Sequence, residues 1–139
     1  EHPANRFVAG FIGSPRMNFI PATVVAASRG KTRVALSGHG NVEAEFALAA
    51  GAPEKGAQVT LGVRPEHFHP KGKTKLDLEV DVVENLGGTT YVYTRTNGAG
   101  PLTVEMKGDR SVKDRATLAT GFDPEKAFLF DKASGARLR

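Results

Sequence analysis

Between Leu76 and Val82 apolar and acidic positions alternate strictly, with Leu76, Leu78, Val80 and Val82 separated by Asp77, Glu79 and Asp81. A period of two places these two sets on opposite faces of an extended chain, so the segment predicts a strand with one face in the core and one in water. Shorter runs repeat the theme along the chain. Ala22–Ala27 and Thr32–Ser37 are rich in small and β-branched residues and flank Ser28-Arg29-Gly30-Lys31, which predicts a hairpin. Further strands are expected at Val42–Ala47 and at Gln58–Arg64, where Pro65 closes the run. Gly87-Gly88 turns the chain into Thr89–Thr96, and Asn97-Gly98-Ala99-Gly100 turns it into Leu102–Met106. Ala127–Phe130, with Leu118 nearby, supplies the last strands.

The opening differs. Phe7-Val8-Ala9-Gly10-Phe11-Ile12 has no polar member, Pro3 suits a first helical turn and Gly13 suits a stop, so a short helix is expected over about residues 3–12. A helix apolar on most sides needs partners on more than one side, and two readings stay open: it packs against further chain in front of it, or it tucks against the domain's own core. The pattern as a whole predicts an all-β protein, an antiparallel barrel or sandwich, behind a short N-terminal helix.

Composition narrows the function. Sixteen Gly and eight Pro agree with frequent turns, and the absence of Cys excludes thiol nucleophiles, Cys-based zinc sites and disulfides. The net charge of +4 is unevenly spread: residues 1–37 carry five basic and one acidic side chain, 38–106 six and nine, and 107–139 eight and five. An acidic middle argues against one continuous basic track for nucleic acid. Lys71, Lys73 and Lys75 alternate with Gly72 and Thr74 in a Pro-flanked stretch and read as a solvated loop.

Tests for chemistry return little. Gly30-Lys31-Thr32 and Gly72-Lys73-Thr74 resemble the end of a phosphate-binding loop, but Val25 and His67 stand where that loop needs its first glycine. Gly51 and Gly56 have the right separation yet are followed by Ala57 and Gln58, without the Lys and the hydroxyl. His67 and His69 flank Phe68 and begin a metal set that His2 and His39 are badly placed to finish. None of Ser14, Ser28, Ser37, Ser111 and Ser134 has a strand-to-helix elbow, and Asp77, Glu79 and Asp81 sit on the wet face of a strand. No catalytic residue, cofactor site or metal site is assigned. Tyr91 and Tyr93 share a strand face that Arg95 continues, the best available nucleic-acid platform, although ordinary strand packing explains it as well.

Four stretches together carry a family resemblance. Pro3-Ala4-Asn5-Arg6-Phe7-Val8-Ala9-Gly10-Phe11-Ile12-Gly13-Ser14-Pro15-Arg16-Met17-Asn18-Phe19 resembles the junction in ATP-binding subunits of carbohydrate ABC importers of the maltose and glycerol-phosphate type. Leu61-Gly62-Val63-Arg64-Pro65-Glu66-His67 is similar to the second hallmark of their C-terminal regulatory domain, and Val82-Val83-Glu84-Asn85-Leu86-Gly87 with Thr90-Tyr91-Val92-Tyr93 to the third. Phe122-Asp123-Pro124-Glu125-Lys126-Ala127-Phe128-Leu129-Phe130-Asp131, with Gly135 and Leu138, is similar to the fourth. Two departures stand out: Phe128 replaces a His common in relatives, near an expected surface, and Asp114-Arg115 replaces a Gly followed by an acidic residue.

The resemblance implies a transport-associated OB (TOBE) regulatory domain, an all-β pair of small OB-fold-like antiparallel barrels in tandem, with residues 1–18 the junction from a nucleotide-binding domain and 19–139 the regulatory part, in halves of roughly 19–70 and 71–139. It implies no catalysis within this chain, ATP and Mg belonging to the nucleotide-binding domain. Implied partners are a second copy in a homodimer, the nucleotide-binding domain, the membrane subunits and a regulatory protein, at the cytoplasmic face of the membrane; nucleic acid is not among them. Phe7, Phe11, Ile12, Asn18, Arg64, Glu66 and Glu84 are then the expected interdomain or dimer contacts, while Gly13, Gly62 and Gly87 serve turns or close approaches. The competing readings are an oxyanion-binding domain of the molybdate type and an OB-type nucleic-acid binder.

Overall fold

The computed structural model describes residues 17–28, 30–48, 53–95, 100–107 and 116–139. The expected helix over 3–12, with Phe7, Phe11, Ile12 and Gly13, lies outside the described residues, as does Asp114-Arg115. Nine strands make up the described chain: β1 Asn18–Ser28, β2 Lys31–Leu36, β3 Glu43–Ala47, β4 Gln58–Val63, β5 Thr74–Asn85, β6 Thr89–Thr94, β7 Thr103–Lys107, β8 Thr117–Phe122 and β9 Phe128–Asp131. Two single-turn 3-10 helices interrupt them, η1 Pro65–His67 and η2 Pro124–Lys126, each opened by proline, which lacks the N–H that a first turn leaves unpaired.

The strands form two antiparallel sheets, one ordered β3-β2-β1-β4-β9 and the other β7-β6-β5-β8. The first sheet draws its first four strands from before residue 70, but β9 crosses back from the second half to pair with β4, so the sheets do not divide at residue 70. In each sheet one long strand changes partners along its length. β1 pairs with β4 over Asn18–Thr23 and with β2 over Ala22–Ser28; β5 pairs with β8 over Thr74–Glu79 and with β6 over Val80–Asn85. Both carry a register shift near the changeover, between Val24 and Ala26 and between Val80 and Val82. A bulge adds one residue, bends the strand and raises its twist, and this curls each sheet into a half-barrel.

The bulge in β5 overturns one expectation. Unbroken alternation would send Val82 inward with Leu76, Leu78 and Val80; instead Val82 is 50% exposed and Val83 packs toward the core. The extra residue shifts the phase by one, and every following side chain changes face.

The concave faces meet in one core that takes Ile20, Val34, Phe46 and Leu61 from the first sheet and Leu78, Val80, Val92, Val104 and Phe122 from the second. Each such residue contributes about 1.5–3 kcal/mol on burial. A smaller cluster of Met17, Phe128 and Phe130, with Phe19 against it, packs separately. Its Phe19 and Phe130 rings meet edge to face at 6.2 Å. Gly62 lies beneath: a Cβ there would stand 2.4 Å from Met17 Sδ and 3.0 Å from the Phe130 ring, so Gly62 is a close-approach glycine. Phe128, expected near the surface, is buried in this cluster.

Candidate interaction surfaces

Asn18 begins β1 and is 7% exposed. Its amide nitrogen donates to the carbonyl oxygens of Val63, at 3.1 Å, and Thr103, at 2.8 Å, and its Oδ1 accepts the Thr103 N–H at 2.7 Å. The side-chain amide thus presents a donor and an acceptor to β7 as a neighbouring strand's backbone would, and it ties the first sheet to the second. These bonds lie within the chain, so Asn18 is an internal clamp and not an outward contact.

Glu84 and the two tyrosines meet on the convex face of the second sheet. Pairing of Val82 with Tyr93 and of Glu84 with Tyr91 puts all four on one side. The bulge is what brings Glu84 there, since the earlier phase would point it inward. The Tyr93 hydroxyl donates to Glu84 Oε1 at 2.9 Å. That bond, then partial desolvation and the charge of Glu84 raise the Tyr93 phenol above its ordinary range. Tyr91 is raised as well, by desolvation first, then by Glu105 and more weakly by Glu66 and Glu84. Arg95 does not extend a basic platform: its Nη1 is 3.2 Å from Glu79 Oε1 and its Nε 3.7 Å from Asp81. Carboxylates beside the rings oppose a polyanion. Val82, Leu86 and Tyr93 are the exposed large apolar residues among those described.

Arg64 and Glu66 flank Pro65 at η1, but no ion pair joins them to each other or to another described residue. The Arg64 guanidinium carbon stands 5.8 Å from the centre of the Phe128 ring, which Arg137 also approaches, at 5.0 Å. Around this point Arg64, Glu66, His67, Lys126, Phe128 and Arg139 line an open pocket of about 460 Å³. Motif resemblance singled out Arg64 and Glu66; Lys126 and Arg139 join them only because β9 and the C-terminal turn fold back beside η1.

His67 and His69 have separate surroundings. His69 Nε2 is 3.2 Å from Asp123 Oδ2, and the Lys73 N–H donates to Asp123 Oδ1 at 3.0 Å. The Lys73 bond, followed by the His69 contact, holds the Asp123 carboxyl below its ordinary range despite some opposing desolvation. His67 turns instead toward the pocket beside Arg64. Among the described residues no three His, Asp or Glu side chains gather as metal ligands would. Both Gly-Lys-Thr triplets lead into strands, β2 and β5, where a phosphate-binding loop requires a helix. Gly72 and Gly121 explain part of that sequence: a Cβ on Gly72 would be 2.3 Å from the Phe122 nitrogen, and one on Gly121 2.6 Å from the Thr74 carbonyl oxygen.

Two curled antiparallel sheets on one core, with proline-opened 3-10 turns and an internal Asn clamp, define a mostly β, OB-like module among the described residues. The family follows from sequence comparison. Residues 13–68 match the family described as MalK OB fold domain, and residues 61–130, half of the chain, match the TOBE domain family; the chain belongs to the TOBE domain family. It is 46% identical over 143 residues to the lactose transport ATP-binding protein LacK of Rhizobium radiobacter, covering 100% of this chain and 39% of that protein. It is 37% identical to the maltose/maltodextrin import ATP-binding proteins MalK of Yersinia pestis bv. Antiqua (strain Antiqua) and Escherichia coli (strain K12), over 94% of this chain and 36% of each. The chain thus spans under two fifths of the length of these relatives. Among solved structures it is similar to the cytoplasmic molybdate-binding protein ModG with molybdate bound, at a TM-score of 0.62, 17% identity, 86% of this chain and 98% of that one. That likeness is one of fold.

Proposed function

We propose that this chain is the non-catalytic regulatory and dimerisation domain of the ATP-binding subunit of an importer for carbohydrates or related solutes. The observation that carries the reading is the 46% identity to LacK along the whole chain, matched to only 39% of that protein. Strands where a phosphate-binding loop would need helices agree with it, the nucleotide being handled by another domain. A persistent contact between two such domains makes re-encounter of the attached ATPase domains intramolecular, which raises their effective concentration without any new contact at the nucleotide. The face bearing Val82, Tyr93 and Glu84 is available for that contact or for a regulatory protein. The working position is the cytoplasmic side of the membrane, beside the membrane subunits; among the described residues no helix is long and apolar enough to cross a membrane.

A chimera tests the reading. This chain, placed where the matching segment of Rhizobium radiobacter LacK stands, is expected to yield a dimeric subunit that assembles with its transporter and supports ATP-driven uptake. A folded, ATP-binding chimera that neither dimerises nor assembles overturns the proposal, as does ATP turnover by the 139-residue chain alone.

A further inference from the structure

The two edges of the curled second sheet face each other: β7 and β8 flank one cleft of about 260 Å³, lined by Phe68, Val104, Met106 and Leu118. Edge strands are ordinarily guarded against pairing with another chain. β3 carries Glu43 and Glu45, β9 is bridged by the C-terminal turn at Arg137, and β7 has its Thr103 backbone taken by Asn18, with Glu105 and Lys107 beyond. β8 has none of these devices over Thr117-Leu118-Ala119-Thr120, which holds no charge and no proline. Its pairing phase is fixed at both ends. The Gly121 carbonyl accepts the His69 N–H at 2.8 Å on the side away from β5, and Glu79, opposite Thr117, turns its own carbonyl to the Arg95 N–H at 2.9 Å. With no register shift between β5 and β8, the N–H and C=O groups of Thr117 and Ala119 also point away from β5, and among the described residues nothing meets them. Both residues are exposed.

We infer that the free edge of β8 takes up an extended segment of a partner protein as an added antiparallel strand, one that alternates apolar and basic residues. The unpaired backbone groups of Thr117 and Ala119 set the extended form, since only another strand meets donors and acceptors at that spacing. The cleft sets the apolar positions. Side chains on the concave side of the added strand enter it beside Met106 and Leu118, and its volume lies below the roughly 300 Å³ at which small-molecule sites begin, which suits single side chains. The outer face sets the charge. Asp77, opposite Ala119, and Glu66, at the cleft's rim, form no ion pair among the described residues. The cations nearby are already engaged: Lys107 lies 3.7 Å from Glu105, His69 is 3.2 Å from Asp123, and Lys75 donates to the Pro70 carbonyl at 2.8 Å. Outward positions of the added strand therefore favour lysine or arginine. A second copy does not meet this demand, because its own β8 would bring no cation to Asp77. The inference goes beyond the transporter reading and does not rest on it.

The test titrates a fluorescein-labelled seven-residue peptide of alternating lysine and leucine into the full chain, with anisotropy reading affinity and amide NMR reading location. Saturable binding is expected, with the largest shifts at Thr117 and Ala119. An added antiparallel strand sets a lysine opposite Ala119 with its N–H turned to β8. Methylating the lysine backbone nitrogens is therefore expected to weaken binding about tenfold or more, and methylating the leucine nitrogens to leave it within about twofold. Replacing the lysines by glutamates is expected to abolish saturation. Asp77→Lys, at an exposed position and so without risk to the fold, is expected to weaken binding severalfold, and Glu54→Gln, away from the edge, to leave it unchanged. Absence of saturation, shifts centred on Val82 and Tyr93 in place of β8, equal loss from the two methylated peptides, or pairing of β8 with a second copy instead of the peptide overturns the assignment.

Discussion

Replacing Asn18 by alanine should separate the two sheets energetically more than any surface change, because one side chain carries two hydrogen bonds between them and a third to Val63 in its own sheet. The substitution removes a 2.7 Å acceptor for the Thr103 N–H, a 2.8 Å donor to the Thr103 carbonyl and a 3.1 Å donor to Val63. The lost packing volume is small, so the unsatisfied backbone groups dominate. At about 1–3 kcal/mol for each buried group left unpaired, and with partial solvation of Thr103 lowering the total, Asn18→Ala should cost about 2–4 kcal/mol. Urea denaturation measures this as a lower midpoint at unchanged slope. Asn18→Asp gives a sharper check. It keeps the shape and the acceptor for Thr103 but sets a carboxylate oxygen against two carbonyl oxygens, which raises the carboxyl pKa in the folded state. A raised folded-state pKa means that stability is retained while the group is protonated and lost as pH rises through that value, so the Asp variant should approach wild type in acid and fall below it near neutrality. A loss under about 0.5 kcal/mol for Asn18→Ala, together with a pH-independent Asn18→Asp, would refute the clamp.

Four further outcomes follow from the same geometry. Because the Glu84 bond holds Tyr93 protonated, that contribution is complete below the ordinary phenol pKa and lost as pH rises through the raised folded-state value; ultraviolet titration should show the Tyr93 transition move to lower pH in Glu84→Gln. Asp123 has the opposite sign: its lowered pKa adds stability above the ordinary Asp value of about 4 that disappears as pH falls through the folded-state value, and Asp123→Asn should flatten that acid limb in thermal melts. Gly121→Ala should destabilise by about 1–3 kcal/mol or more, because its Cβ would meet the rigid Thr74 carbonyl at 2.6 Å. At Gly87 a Cβ meets nothing within 4 Å and only the positive φ of 72° opposes alanine, so Gly87→Ala should cost about 1–2 kcal/mol by the same denaturation assay.

The strands and their turns were legible in the chain itself. Alternation over Leu76–Val80, the Gly30 turn and the Pro65 stop are local consequences of side-chain period and backbone freedom, and they reappear as β5, the β1–β2 hairpin and the end of β4. Hallmark stretches spread along the chain carried the family, since their order is itself a sequence property. What alternation could not show was where it would break. The bulge between Val80 and Val82 depends on β5 leaving β8 for β6, a long-range pairing, and it alone turns Val82 and Glu84 outward. The pocket is likewise a product of assembly: Arg64 and Arg139 are far apart in the chain, and the return of β9 to β4 brings them together. The junction motif marked Asn18 as an interdomain or dimer contact, and only the passage of β7 beside it makes it a clamp within the chain. Local chemistry therefore determined the elements and the kinship of this protein, while strand pairing across the core decided which side chains face water, which are locked inside and which share a site.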